Sequence, residues 1–258
     1  MLFDTHMHTR FSTDSRMTIN QAMARAGELG LGIAITEHMD LNYPEPQAFI
    51  FDTVAYFAAY ERYRSEQVLL GIEIGMQPGL VADNRRIVKD HPFDYVIGSI
   101  HVIDNIDIYC AEFYDLRTKA EVYRQYFEAM AECLESYDFI DSLGHIDYIA
   151  RYARFTDPEI YYHEFPELID RVLATAAQRQ LAMEINTRRL NQKETVNALI
   201  LIYKRFYELG GRLVTIGSDA HTPGDIGKGM DVALAIAEYC RLRPVWFKDR
   251  KIQYMKKD

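Results

Sequence analysis

Short apolar runs alternate along this chain with amphipathic stretches, and nearly every run ends on a histidine or a carboxylate. The runs are "LFDTHMH" (2–8), "GIAITEH" (32–38), "VLLGIEIG" (68–75), "YVIGSIH" (95–101), "FIDSLGHID" (139–147), "LAMEINT" (181–187) and "RLVTIGSDAH" (212–221). Several are apolar throughout until their last residues, as strands covered on both faces are. Between them, "MTINQAMARAGELG" (17–30) sets Ile19, Ala22, Met23, Ala26 and Leu29 at helical spacing, with Gly30 as a stop signal. Residues 117–137, 167–180, 193–211 and 232–242 carry the same period. Strand followed by helix, seven times, predicts parallel strands joined by right-handed crossovers. No linker or low-complexity tract interrupts the pattern, so one α/β domain spanning 1–258 is expected, closed as a barrel; an open doubly wound sheet is the second choice.

Composition narrows the function. The net charge of −9 argues against a broad nucleic-acid footprint, so an anionic ligand has to be held locally, by metals or a few arginines. Cys110, Cys133 and Cys240 are odd in number and widely spaced, which reads as reduced packing residues. No apolar run approaches the ~18–20 residues of a membrane span. The N-terminal residues lack the charged-then-apolar order of a secretory signal, and a cytoplasmic location is expected.

The polar residues at the strand ends carry the chemistry. Asp4, His6 and His8 end the first run, His38 the second, Glu73 the third, His101 the fourth, His145 the fifth, and Asp219 and His221 the last. In a parallel barrel these ends meet on one rim, where barrel enzymes keep their sites. Alternation along a strand puts Asp4, His6 and His8 on one face, and Asp219 and His221 likewise. A single buried histidine is ordinarily a hydrogen-bonded core residue, but three inward polar groups in one strand are costly unless something pairs them. A divalent cation satisfies imidazole and carboxylate together. Asp14, in "STDS", equally fits a turn or helix cap. His91 and His163 stand in loop-like surroundings and are assigned to the surface.

"DTHMH", "TEH", "GIEIG", "GSIH", "GHID" and "GSDAH", in this order over nearly the whole chain, resemble the polymerase-and-histidinol-phosphatase (PHP) family of metal-dependent phosphoesterases. "TRFSTDS", "GHIDYIARY", "EINT" and "FKDRK" are similar to its stand-alone histidinol phosphatases. The resemblance implies a distorted (β/α)7 TIM-like barrel and two to three divalent ions, Zn, Mn or Fe. Carried over residue by residue, it assigns one ion to His6, His8, Glu73 and Asp219. Glu73 bridges to a second ion on His101 and His145, and a third ion takes Asp14, His38 and His221. Some family members have a histidine at the position of Asp14. Asp4 is expected to accept a hydrogen bond from a ligand imidazole and fix its tautomer.

The implied reaction is hydrolysis of a phosphate monoester, L-histidinol phosphate by the resemblance, with hydroxide from a water that bridges two cations as the nucleophile. The catalytic groups are then Asp4, Glu73 and Asp219. Arg151, Arg188 and Arg189 are candidates for pairing with the substrate phosphate. The loop "MDLNYPEPQAFIFD" (39–52) is a candidate lid. Other phosphate esters or nucleic acid ends are the main alternative substrates. An amidohydrolase-like barrel cleaving a C–N bond is a further reading, although Glu73 stands where such enzymes use a carboxylated lysine. The partner expected is a small molecule, with no nucleic acid and no membrane; nothing in the sequence speaks for an oligomeric state.

Overall fold

The protein is described by a computed structural model over residues 1–254; the last four positions of the expected 1–258 unit lie outside the described residues. The strands are β1 (Leu2–Asp4), β2 (Leu31–Met39), β3 (Val68–Gly75), β4 (Tyr95–Ser99), β5 (Val102–Ile103), β6 (Ile106–Asp107), β7 (Ser142–Leu143), β8 (Ala182–Asn186), β9 (Leu213–Gly217), β10 (Arg243–Lys248) and β11 (Lys251–Tyr254). The helices are α1 (Ile19–Leu29), α2 (Thr53–Tyr60), α3 (Val81–Asp90), α4 (Lys119–Ser136), α5 (Tyr148–Tyr152), α6 (Pro166–Gln178), α7 (Lys193–Glu208) and α8 (Met230–Tyr239). Local chemistry sets several ends. Thr18 and Gln21 form a capping box at the start of α1, and Gly30 ends that helix in the left-handed conformation (φ 66°).

Seven strands run parallel in the order β1, β2, β3, β4, β7, β8, β9. The circle closes just past β1. Thr5 N donates to Ile216 O at 2.9 Å, His8 N donates to Ala220 O at 2.8 Å, and Met7 bridges Ala220 in parallel. That closure decides for the barrel over the open sheet. The first and fifth strands are shorter than their apolar runs, because the chain leaves the ladder early. His145 N, for instance, is taken by the Glu184 carboxylate at 2.8 Å rather than by a neighbouring strand.

Alternation along the strands divides the apolar residues into two cores. Ile33, Ile35, Leu70, Ile72, Val96, Met183 and Val214 face outward and pack under the helices. Phe3, Ala34, Leu69, Tyr95, Ile97 and Ala182 face inward and meet Val245 and Phe247 of β10. Strands buried on both faces are what made the runs continuously apolar.

The hairpin β10–β11 was not anticipated from the sequence. Strand β10 pairs with the start of β9 through Arg243 and Pro244, then crosses beneath the barrel. Its far end is caught under β4 and β7, where Asp94 accepts from Asp249 N at 3.0 Å and Asp141 accepts from Arg250 Nε at 2.5 Å. Trp246 stacks on Phe3 and Phe247 on Tyr95, so this strand floors the barrel. The turn is a two-residue one with both residues left-handed, Asp249 (φ 49°) and Arg250 (φ 61°). No helix among the described residues is long and apolar enough to cross a membrane.

Phe247 is 5% exposed and fills the floor of the barrel. Phe247→Ala is therefore expected to cost about 3–5 kcal/mol, read as a lower urea midpoint with an unchanged m-value.

Candidate metal centre

All six histidines at the strand ends converge on the carboxyl rim of the barrel. Glu73, fully buried on β3, lies at their centre. Its Oε1 is 3.0 Å from His145 Nε2 and 3.3 Å from His101 Nε2, and accepts from Ser99 Oγ at 2.7 Å. Its Oε2 is 3.3 Å from His6 Nε2, 3.5 Å from His8 Nε2 and 2.9 Å from His38 Nδ1. Asp219 Oδ1 lies 3.4 Å from His8 Nε2 and 3.9 Å from His6 Nε2. Asp14 joins on the outer side, with Oδ2 2.9 Å from His221 Nε2 and 3.7 Å from His38 Nε2. Strand alternation is not what brings Asp219 and His221 in. Strand β9 ends at Gly217, and a left-handed Asp219 (φ 54°) turns both side chains to the rim.

Two expectations need correction. Asp4 does not touch an imidazole. Its Oδ1 accepts from Ser218 N at 2.8 Å and its Oδ2 from Gly227 N at 2.9 Å. As the last residue of β1 it faces the backbone that follows β9, and it ties the barrel shut there. Arg189 does not face the site. It is buried in an ion-pair group with Asp147 at 3.0 Å and Glu159 at 2.9 Å. Arg151 and Arg188 do reach the rim: Arg151 donates to Asp219 Oδ2 at 2.8 Å, and Arg188 to Asp219 O at 3.0 Å. His91 and His163 lie elsewhere, His91 beside Thr53 and His163 beside Tyr161.

The carboxylates that do orient imidazoles were missed. Glu184 Oε1 is 2.6 Å from His6 Nδ1, and Asp40 Oδ1 is 2.8 Å from His101 Nδ1. Glu37 accepts from Ser12 Oγ at 2.6 Å, and Ser12 Oγ is 3.1 Å from His8 Nδ1. Glu184 was detectable by the reasoning applied to Glu73, since it too is a carboxylate inside an apolar run. Gly217 makes room for it: a Cβ there falls 2.3 Å from Glu184 Oε1 and 2.4 Å from His6 Cβ.

These contacts set the charges. Burial disfavours protonation of His6, but Glu184 and Glu73 outweigh it and hold the imidazole well above its usual range. His101 is raised in the same way by Asp40 and Glu73, and His38 by Glu73 and Asp14. His8 goes the other way, lowered by burial and by His38 and His221. Burial opposes ionisation of Glu73 and Asp219, yet the imidazoles for the first, and Arg151 with the imidazoles for the second, hold both well below the usual carboxylate range.

The same negative field suits divalent cations, and so do the donors. His6 Nε2 and His8 Nε2 face each other at 3.1 Å, and His101 Nε2 and His145 Nε2 at 3.4 Å. Glu73 Oε2, Asp40 Oδ2 and His38 Nδ1 are buried and make no aligned hydrogen bond, the 2.9 Å approach of Glu73 Oε2 to His38 Nδ1 included. Donor atoms lie within 4.8 Å of one another in four sets: His6/His8/Glu73, Glu73/His101/His145, His8/His38/His221 and His38/Asp40/His101. The centre opens into a cavity of about 210 Å³, lined besides the imidazoles by Tyr148, which stacks on His145, and by Arg151, Tyr152 and Arg188. Beside it runs the 39–52 loop, whose Phe49 packs edge-on against His38 and whose Tyr43 hydroxyl donates to Asp107.

The sequence and the fold are both shared with known proteins. Residues 4–188 match the PHP domain family, and the chain belongs to that family. A "probable histidinol-phosphatase" of Clostridium acetobutylicum is 50% identical over 254 residues, spanning 98% of this chain and 100% of its own. The histidinol-phosphatase of Lactococcus lactis subsp. lactis is 32% identical over 84% of this chain and 83% of its own. The crystal structure of the L. lactis histidinol phosphate phosphatase, complexed with zinc, L-histidinol and phosphate, matches with a TM-score of 0.93 at 29% identity, covering 98% of each chain.

The Arg151–Asp219 pair yields a pH test. A depressed carboxylate stabilises the fold above its unfolded pKa, near 3.8, and this contribution fades as pH falls through the lower folded value. In chelator-treated protein, Arg151→Ala is expected to cost on the order of 3 kcal/mol at neutral pH. It should also flatten the loss of stability on acidification, as measured by urea midpoints at neutral and acid pH.

Proposed function

We propose that this protein is a metal-dependent phosphomonoesterase whose substrate is L-histidinol phosphate, and that it works in the cytoplasm. The observation that carries the reading is Glu73, a buried carboxylate with each oxygen directed at a different set of imidazoles. A bridging carboxylate between cations has this form. The proposed ligands are His6, His8, Glu73 and Asp219 for one ion, Glu73, His101 and His145 for a second, and Asp14, His38 and His221 for a third. Zinc, manganese or iron suits this mixture of nitrogen and oxygen donors. Bound cations supply charge neutralisation at the phosphoryl oxygens and lower the pKa of water towards neutrality.

The chain's own residues do the rest. Glu184 and Asp40 take the Nδ1 protons of His6 and His101, which leaves each Nε2 lone pair turned to the centre. Arg151 and Arg188 stand at the cavity with guanidinium groups suited to phosphate oxygens, and Asp219 and Asn186 hold Arg151 in place. A doubly charged ester thereby meets positive groups on an otherwise acidic protein. Tyr148 and Tyr152 line the cavity beside these arginines, where an aromatic alcohol portion packs against ring faces. The match to the histidinol phosphatases of C. acetobutylicum and L. lactis supports the choice of substrate.

The test is phosphate release from L-histidinol phosphate, p-nitrophenyl phosphate and a single-stranded oligonucleotide, with Mn²⁺ or Zn²⁺ and after chelation. The expected result is strong preference for the first, loss of activity on chelation and recovery on adding metal back. Equal slow turnover of all three would refute the substrate. His101→Ala is expected to lower kcat/KM by at least about 100-fold and to reduce the metal content. Intact activity and metal content in that variant would remove the second ion from the scheme.

A further inference from the structure

Asp40 stands two residues beyond His38, just past the end of β2, and is 1% exposed. Its two oxygens face imidazoles that belong to different donor sets. Oδ1 lies 2.8 Å from Nδ1 of His101, whose Nε2 faces Glu73 and His145. Oδ2 lies 3.6 Å from Nδ1 of His38, whose Nε2 faces Asp14. Both Asp40 Oδ2 and His38 Nδ1 are buried and make no aligned hydrogen bond. Glu73 Oε2 lies nearer to that Nδ1, at 2.9 Å, but it is a proposed cation ligand, which leaves Asp40 as the carboxylate for the Nδ1 proton. The carboxylate is also fixed from behind. Asp40 N donates to Phe49 O at 2.8 Å, and Gly75 leaves the space its carboxylate occupies, since a Cβ there falls 1.9 Å from Oδ1.

We propose that Asp40 is a positioning residue that couples two of the three cation sites, the one on His101 and the one on His38, so that those two ions are held or lost together. The inference rests on the cation-binding reading of the rim. A carboxylate that receives the Nδ1 proton of a ligating imidazole fixes its tautomer and orientation, and losing such a partner typically weakens metal binding by about 10–100-fold. One carboxylate does this for His101 and stands ready to do it for His38 across a gap of under one ångström beyond hydrogen-bond length. The site on His6 and His8 has separate anchors, Glu184 for the first and the Ser12–Glu37 chain for the second. It should not respond.

The test uses the full chain loaded with Mn²⁺ and dialysed against a graded series of chelator concentrations, with ions per chain counted by plasma mass spectrometry. In Asp40→Asn, two ions should leave together at a chelator concentration about 10–100-fold lower than in the parent, while one is retained. Excess Mn²⁺ should restore full loading, a rescue that a general structural defect would not show. Gly75→Ala, which displaces the same carboxylate without changing any charge, should give the same pattern. Far-UV circular dichroism establishes that each variant is folded, and Asp40→Ser replaces either one that is not. A folded Asp40→Asn that keeps its full complement at the parent's chelator concentrations overturns the proposal, as does loss of all three ions in one step. If the parent itself retains no ions after loading, the cation-binding reading fails, an outcome distinct from the failure of the coupling.

Discussion

A carboxylate buried inside a barrel is the constraint around which this structure is arranged. Glu73 is out of contact with water, and an ionised group there is tolerated only if opposite charge and hydrogen-bond donors surround it. Five imidazoles and the Ser99 hydroxyl provide that surrounding, and they arrive from β4 and the residues just past it, the end of β2, the extended chain after β1 and the segment after β7. No single strand or hairpin can deliver five rings to one carboxylate. A closed ring of parallel strands does so because every strand ends on the same rim. The fold and the charge cluster are therefore one requirement seen from two sides.

The barrel can devote its upper interior to polar groups because its lower interior is apolar and sealed. Strand β10 crosses the amino-terminal mouth and contributes Val245 and Phe247 to a small inner core with Phe3, Leu69 and Tyr95. Above that layer the interior changes to Ser142, Thr215 and then Glu73 and Glu184, with the Tyr95 hydroxyl bonded to the first two. The larger core lies outside, between strands and helices, and hydrophobic burial there is large enough to offset the cost of ordering a polar rim. Asp4 contributes to closure, since its carboxylate takes the backbone N–H groups of Ser218 and Gly227 from the chain that follows β9.

Outside the imidazoles stand carboxylates that aim them. Glu184, Asp40 and, through Ser12, Glu37 each bear on the Nδ1 side of a histidine. Glycines at 75 and 217 admit two of them, as a methyl group at either position would collide with the carboxylate. The rigidity of the rim thus depends on residues with no side chain as much as on the polar ones. Arg151 and Arg188 stand on the far side of this arrangement. They are anchored to Asp219 and line the open cavity.

Much of this was legible in the linear chain. Alternating apolar runs and helical periods determined a parallel sheet buried on both faces, while its closure into a barrel was decided by the contacts between the segments after β1 and β9. The six rim histidines, Glu73 and Asp219 were legible too, since polar residues at the ends of otherwise apolar strands have no cheap alternative placement. What the sequence could not convey is contact between positions far apart along it. Arg189 and Arg188 are adjacent and chemically identical, yet one is locked to Asp147 and Glu159 and the other faces the cavity. Asp4 and Glu184 are both buried carboxylates, and only packing decided that the second, not the first, meets His6. The floor strand likewise depends on Asp94 and Asp141, which lie far from it in sequence. Local pattern determines which face of a strand or helix a residue occupies; which partner it finds there is settled by closure of the ring, an event in three dimensions that no short-range spacing records.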